Sequence, residues 1–339
     1  MQRKTYDILD LTKFVLSIAV VAIHCQLFPH VLFPWLRLAV PLFFIISSFL
    51  FYSKVSGLAE NEQREKLFGY VKRNLTLYAV WFVILLPFTV LERKSWFANG
   101  MVQGILYSIR GFLFGSTFRA SWFIMAGVIA LPMVFFLSKR TKEWILTTVA
   151  LLLYGCCCLV TNYSKIIESS QISFLYDFSK VVFDGIESSF VFAIIWIIIG
   201  KKYAENAITY SKKQSMIGTL ISALLLYAEH YFSVNYLGAS GRSSCYVMLL
   251  PLCVFVFRFL IQCEGLKIKN AKFLRNTSTI LYVTHCAVLL CVSWFLRNVL
   301  SINSIVANFV VTVASVIVIS YICIRLSTFS KLHFLKKLW

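Results

Sequence analysis

Two ionisable residues stand where apolar side chains are expected. Lys13 and His24 both fall within the first long apolar segment, residues 8–28. A charge placed mid-span costs about 2.5–3.5 kcal/mol on insertion scales, so such residues mark function by default. On an α-helix their spacing gives a rise of about 16 Å and a net rotation of about 20°. Both side chains then leave one face, with the cation toward one end and the imidazole toward the other. Histidine suits general-base work near neutral pH. This arrangement fits a long ligand with a phosphate head at one membrane surface and a reactive end deep in the bilayer. The plainer alternative is a snorkelling Lys13 and a His24 held in a polar helix contact.

Other polar residues sit in or beside apolar segments. His285 lies in TSTILYVTHCAVLL, where a hydrogen-bonded packing role is the simpler alternative. Arg37 precedes VPLFFIISSFLF and reads either as an interface anchor or as part of a site. Pro41, Ser47 and Ser48 point to a kinked, closely packed helix there. Trp122 opens another apolar run, where an aromatic-belt role is the default. His230, beside Glu229, reads as interfacial, and His30 and His333 receive no role. The chain contains no Walker loop, GxSxG elbow, HExxH or paired-carboxylate pattern. Its 10 cysteines, including the consecutive Cys156, Cys157 and Cys158, show no metal-ligand spacing and read as small apolar fillers, so no metal is expected.

The elements that must position these residues follow from composition. The chain is 59% hydrophobic and 14% charged over 339 residues. Soluble domains carry about 25% charged residues, too many for this chain to be one. The sequence therefore predicts an all-α membrane protein of about ten helices, with spans at 8–28, 36–53, 74–91, 121–138, 144–161, 186–200, 216–233, 244–262, 277–297 and 304–325. Asp7 and Asp10, with no A-x-A pattern, argue against reading the first segment as a signal peptide. The net charge of +19 has its explanation in basic loops on one side, and no nucleic-acid partner is expected. With the N-terminus inside, the inside loops hold clusters such as Lys54, Arg64, Lys66, Lys72 and Arg73, or Lys139, Arg140 and Lys142. The outside segments hold far fewer cations, which predicts that both termini are cytoplasmic. The long outside segment 92–120 carries Gly104, Gly111 and Gly115 and reads as re-entrant or interfacial, and the tail from Lys331 to Trp339 reads as a basic end on the inner leaflet.

Several blocks, in order, match a known pattern. Asp10-Leu-Thr-Lys13 through His24 is an Asp, two residues, a cation, ten residues and a His. Arg37-Leu-Ala-Val40-Pro41-Leu-Phe43-Phe44-Ile-Ile-Ser47-Ser48-Phe49 follows, then Lys72-Arg73, Trp122-Phe123 and Tyr282-Val-Thr-His285. The chain resembles acyltransferase family three, the integral membrane O-acyltransferases. Within it, the chain is similar to the branch that forms the membrane half of vancomycin-resistance serine racemases. The resemblance spans nearly the whole chain and implies a single membrane acyltransferase-like domain over 1–339 in a bacterial cytoplasmic membrane. It implies transfer of an acyl group, usually acetyl, from cytoplasmic acyl-CoA to a hydroxyl of an extracytoplasmic glycan or lipid-linked sugar. By resemblance His24 is the catalytic residue, and Lys13, Lys72 and Arg73 meet the CoA phosphates. Asp10, Arg37, Trp122, Glu187, Tyr282 and His285 are supporting positions. Three positions depart from the pattern. Ser48 replaces a glycine, Thr76 replaces an arginine, and Glu187 stands near where the related branch places an arginine, after Asp184-Gly185. A carrier of a small polar solute such as serine, or of a polysaccharide, is the alternative, with Lys13, His24, Arg37 and Glu187 lining its path.

Overall fold

Apolar segments that cannot hydrogen-bond to lipid close their backbone bonds internally as helices. The computed structural model describes residues 6–28, 32–114, 117–118, 120–168, 170–171, 173–183, 185–263 and 265–339. Arg3, Lys4, His30, Gly115 and Asp184 lie outside the described residues. The helices in chain order are α1 (Asp7–Cys25), α2 (Phe33–Leu36), α3 (Ala39–Val55), α4 (Glu60–Arg93), α5 (Met101–Phe114), α6 (Trp122–Arg140), α7 (Glu143–Thr161) and α8 (Ser164–Glu168). They continue with α9 (Phe174–Phe183), α10 (Phe190–Ala204), α11 (Lys212–Tyr236), α12 (Leu249–Ile261), α13 (Ala271–Asn298) and α14 (Ile305–Leu326). Short 3-10 turns occupy Lys94–Phe97, Ile186–Ser188 and Ser330–Leu338.

Among the described residues, nine helical segments are long and apolar enough to cross a membrane. The difference from ten lies in the segment predicted at 244–262. Its helix begins only at Leu249 and has 13 residues, about 20 Å at 1.5 Å per residue and short of a full span. Glu229 of α11 sets that start. Its two carboxylate oxygens accept the backbone N–H groups of Val247 and Met248, each at 2.7 Å. A negative charge there complements the positive end of a helix. Tyr163 also donates to Glu229, at 2.7 Å. Burial and then this carboxylate push the Tyr163 hydroxyl well above its ordinary range, so it remains a donor. Glu229 is thus a helix cap. Its neighbour His230 is buried, with Nδ1 3.0 Å from the Tyr246 hydroxyl.

At the centre lies α10, where every residue from Val191 to Ile199 is buried. A helix apolar all round belongs inside a bundle. It packs chiefly on α3, α6 and α7. The approach to α3 depends on Gly200, where a Cβ would collide with Ser48 Oγ and the Ile45 carbonyl. The small residue that permits close contact is thus on α10, opposite Ser48. On the other side, α1 packs against α13, α3 and α14.

One end of the bundle collects the charge. Lys202 of α10 pairs with Glu143 of α7 at 2.7 Å, Lys139 of α6 approaches Glu60 of α4 at 3.5 Å, and Arg275 of α13 approaches Asp10 of α1 at 3.5 Å. These are loops that charge counting assigned to a single side. Within the segment 92–120, Met101–Phe114 form the helix α5 beside the Lys94–Phe97 turn. The basic tail folds onto α4, where Trp81 Nε1 donates to the Leu338 carbonyl at 3.1 Å.

Candidate functional site

α1 carries both ionisable residues on a continuous helix, as the spacing requires. Its Lys13 end is electrostatically crowded. Lys13 lies within the fields of Asp10, Arg275, Arg73 and Lys54, which come from α1, α13, α4 and α3. The fold therefore gathers Lys13, Asp10 and Arg73, and adds Lys54 and Arg275. Lys72 is exposed. Thr76 turns its hydroxyl back onto the Lys72 carbonyl at 2.8 Å and adds no charge to the cluster.

The other end of α1 opens into a cavity of about 350 Å³. That is within the usual range of ligand sites, about 300–1,000 Å³. His24, Arg37, Trp122, Glu187 and Tyr282 all line it, and so do Arg93, Ser188 and Ser244. Five residues chosen from sequence thus meet on one surface. Nothing in the sequence marks Arg93 or Ser244 as site residues. Arg93 reads in sequence as an ordinary cation at a span end, and Ser244 sits in the non-helical stretch that the predicted eighth span concealed.

Each wall has a local cause. Arg37 follows α2, a short turn with Pro34 in its first turn. The Trp35 indole braces α2 on α11, donating to the Ala223 carbonyl at 3.1 Å and stacking on Tyr227 at 5.4 Å. The Arg37 guanidinium then lies 4.4 Å over the Phe33 ring and donates to the Arg242 carbonyl at 2.8 Å. Its buried Nε has no hydrogen-bond partner among the described residues. Glu187 sits in the Ile186–Ser188 turn, and its carboxylate folds over Gly185. Gly185 has φ +128°, a backbone that side chains rarely adopt, and a Cβ there would crowd the carboxylate. Trp122 packs between Phe44 of α3 and Phe192 of α10, each ring 6.1 Å away. It is a cavity wall rather than a belt residue.

His285 is fully buried behind the cavity, and its ring lies 4.8 Å from that of His24. Its Nδ1 is 2.7 Å from the Tyr282 carbonyl oxygen and 3.2 Å from that of Leu281. Carbonyls only accept, so Nδ1 carries the hydrogen and Nε2 keeps a lone pair. The Cys286 thiol donates to that lone pair at 3.2 Å. Tyr282 also packs against Phe43 and Phe123, at 5.5 and 5.2 Å. On α1 the cavity lining begins at Val20. Leu16 and Ser17, between it and Lys13, are buried.

The chain is similar in sequence to known proteins. An amino-acid racemase of Enterococcus faecalis is 24% identical over 345 residues, covering 96% of this chain and 46% of the relative. A serine/alanine racemase of Enterococcus gallinarum is 21% identical over 334 residues, covering 94% of this chain and 45% of the relative. The chain thus spans about half the length of these relatives. No solved structure matches it. A family model described as an acyltransferase domain matches residues 6–325, and the chain belongs to this third acyltransferase family of membrane proteins.

Proposed function

We infer that the protein moves an acyl group, acetyl in the simplest case, from cytoplasmic acyl-CoA to a hydroxyl of an extracytoplasmic glycan or lipid-linked sugar, with the charged end of the bundle facing the cytoplasm. The observation that carries this reading is the single helix α1, with Lys13 in a basic cluster at one end and His24 open to a polar cavity at the other. Lys13, Arg73, Lys54 and Arg275 supply the charge that CoA phosphates need. His24 takes the acceptor's hydroxyl proton as its oxygen attacks the thioester carbonyl. The tetrahedral adduct then expels the CoA thiolate, which is protonated as it leaves. Arg37 and Glu187 orient the acceptor, and His285 backs the His24 ring. Leu16 and Ser17 lie buried along the route, so the donor's arm has to open a passage beside α1. Purified protein given acetyl-CoA and envelope glycan should release free CoA and acetylate the glycan. Release of neither would overturn the reading.

The carrier reading has one observation in its favour. Two guanidinium groups, Arg37 and Arg93, and one carboxylate, Glu187, line a small cavity, a set complementary to a small zwitterion. One relative is named a serine/alanine racemase. Serine counterflow in proteoliposomes without CoA would support this reading, and its absence would remove it.

A further inference from the structure

His24, His285 and Cys286 each offer one ligand atom, and these atoms lie within 4.8 Å of one another. Sequence spacing conceals the set, because its members come from helices at opposite ends of the chain. The set has the marks of a metal centre. His285 gives its Nδ1 hydrogen to a backbone carbonyl at 2.7 Å, the outer contact that fixes the tautomer of metal-binding histidines. Its Nε2 lone pair points at Cys286 Sγ, 3.2 Å away. Two imidazole nitrogens and one thiolate suit zinc-class ions, which favour four-coordinate tetrahedral sites. His24 is exposed to the cavity, which gives an ion a way in and leaves a fourth position facing solvent.

We propose that His24, His285 and Cys286 form a site for a thiophilic divalent ion of the zinc class, and that its occupation silences the protein by taking the His24 lone pair. Binding replaces the Cys286 S–H with an S–metal bond and releases one proton, while both histidines bind neutral. The silencing rests on the acyl-transfer reading. The site itself does not, because it follows from geometry alone.

The test uses the purified full chain in detergent, with Co²⁺ as a spectroscopic probe and Zn²⁺ competing against a chelator. The wild type should bind one ion and show the tetrahedral Co²⁺ spectrum with a thiolate charge-transfer band. Cys286→Ser should abolish that band and weaken Zn²⁺ binding by about 100-fold or more, since loss of even an outer contact costs about 10–100-fold. His24→Ala, on the other helix, should weaken Zn²⁺ binding comparably. Cys291→Ser, an exposed cysteine further along α13, should change neither reading. An unchanged spectrum and affinity in Cys286→Ser and His24→Ala, or no binding to the wild type, would overturn the site. Tight Zn²⁺ binding without loss of acyl transfer would overturn the silencing alone.

Discussion

The imidazole rings of His24 and His285 lie 4.8 Å apart at an angle of 53°, one on α1 and the other on α13. His285 has its Nδ1 tied to the Tyr282 carbonyl, so a rigid, oriented ring backs the one that faces the cavity. Positional errors near 1 Å at a reacting group can cost about 100-fold in rate.

The basic cluster makes separable demands. If Lys13 meets a donor phosphate, Lys13→Gln should raise KM for acyl-CoA by about tenfold, the worth of one charge-assisted contact. Arg73→Gln should act in the same direction. Lys72→Gln should cost less than Arg73→Gln, because both are exposed but it is Arg73 that acts on Lys13. Steady-state kinetics at fixed ionic strength checks the order, and a larger effect from Lys72 would reverse the assignment.

Glu187 depends on Gly185. At φ +128° with a carboxylate folded over it, Gly185 tolerates no Cβ without moving Glu187. Gly185→Ala and Glu187→Ala should therefore impair acceptor use alike, each by about tenfold in kcat/KM if one charged hydrogen bond is lost. KM for acyl-CoA should stay at its wild-type value. A Gly185→Ala protein with normal acceptor kinetics would show that Glu187 has no such role.

The contact between α3 and α10 predicts a partial rescue. Gly200→Ala should destabilise by about 1–3 kcal/mol, the usual cost of overpacking. Adding Ser48→Gly should recover only part of that loss, because the Ile45 carbonyl still stands in the way of the new Cβ. Unfolding followed by tryptophan fluorescence in detergent would measure both, and full recovery would mean that the backbone contact is unimportant.

The start of α12 depends on Glu229. Glu229→Ala leaves two backbone N–H groups and the Tyr163 hydroxyl without their carboxylate. A stability loss of about 0.5–2 kcal/mol is expected, the usual cost of removing a helix cap. Hydrogen exchange should rise at Val247 and Met248 first. Unchanged protection there would show that α12 starts where it does for another reason.

Much of this was legible in the sequence, for identifiable reasons. Apolar runs long enough to span the bilayer have no folded alternative to a helix, so α1, α3, α7, α13 and α14 fall close to the predicted segments. The 3.6-residue period placed Lys13 and His24 on one face without any structure. The start of α12 was hidden because Tyr246, Val247 and Met248 are as apolar as the helix after them, and only the distant Glu229 decides where that helix begins. Arg93 was hidden because a cation at a span end is ordinary, and its place in the cavity depends on how α4 packs. Cys286 looked like a filler because its partnership with His285 and His24 exists only once α13 lies against α1. The small residue that lets α3 and α10 approach at Ser48 is Gly200, which no spacing within α3 reveals.

In the acyl-transfer reading, His24 performs proton transfer at the site where the acyl group changes hands. The most direct test is the rate of label transfer from labelled acetyl-CoA to the glycan acceptor by purified wild type and by His24→Ala, with donor binding measured separately. A fall in kcat of about 10²–10⁴-fold is expected, the usual worth of a general base, with donor affinity nearly unchanged. Equal rates in the two proteins would contradict it.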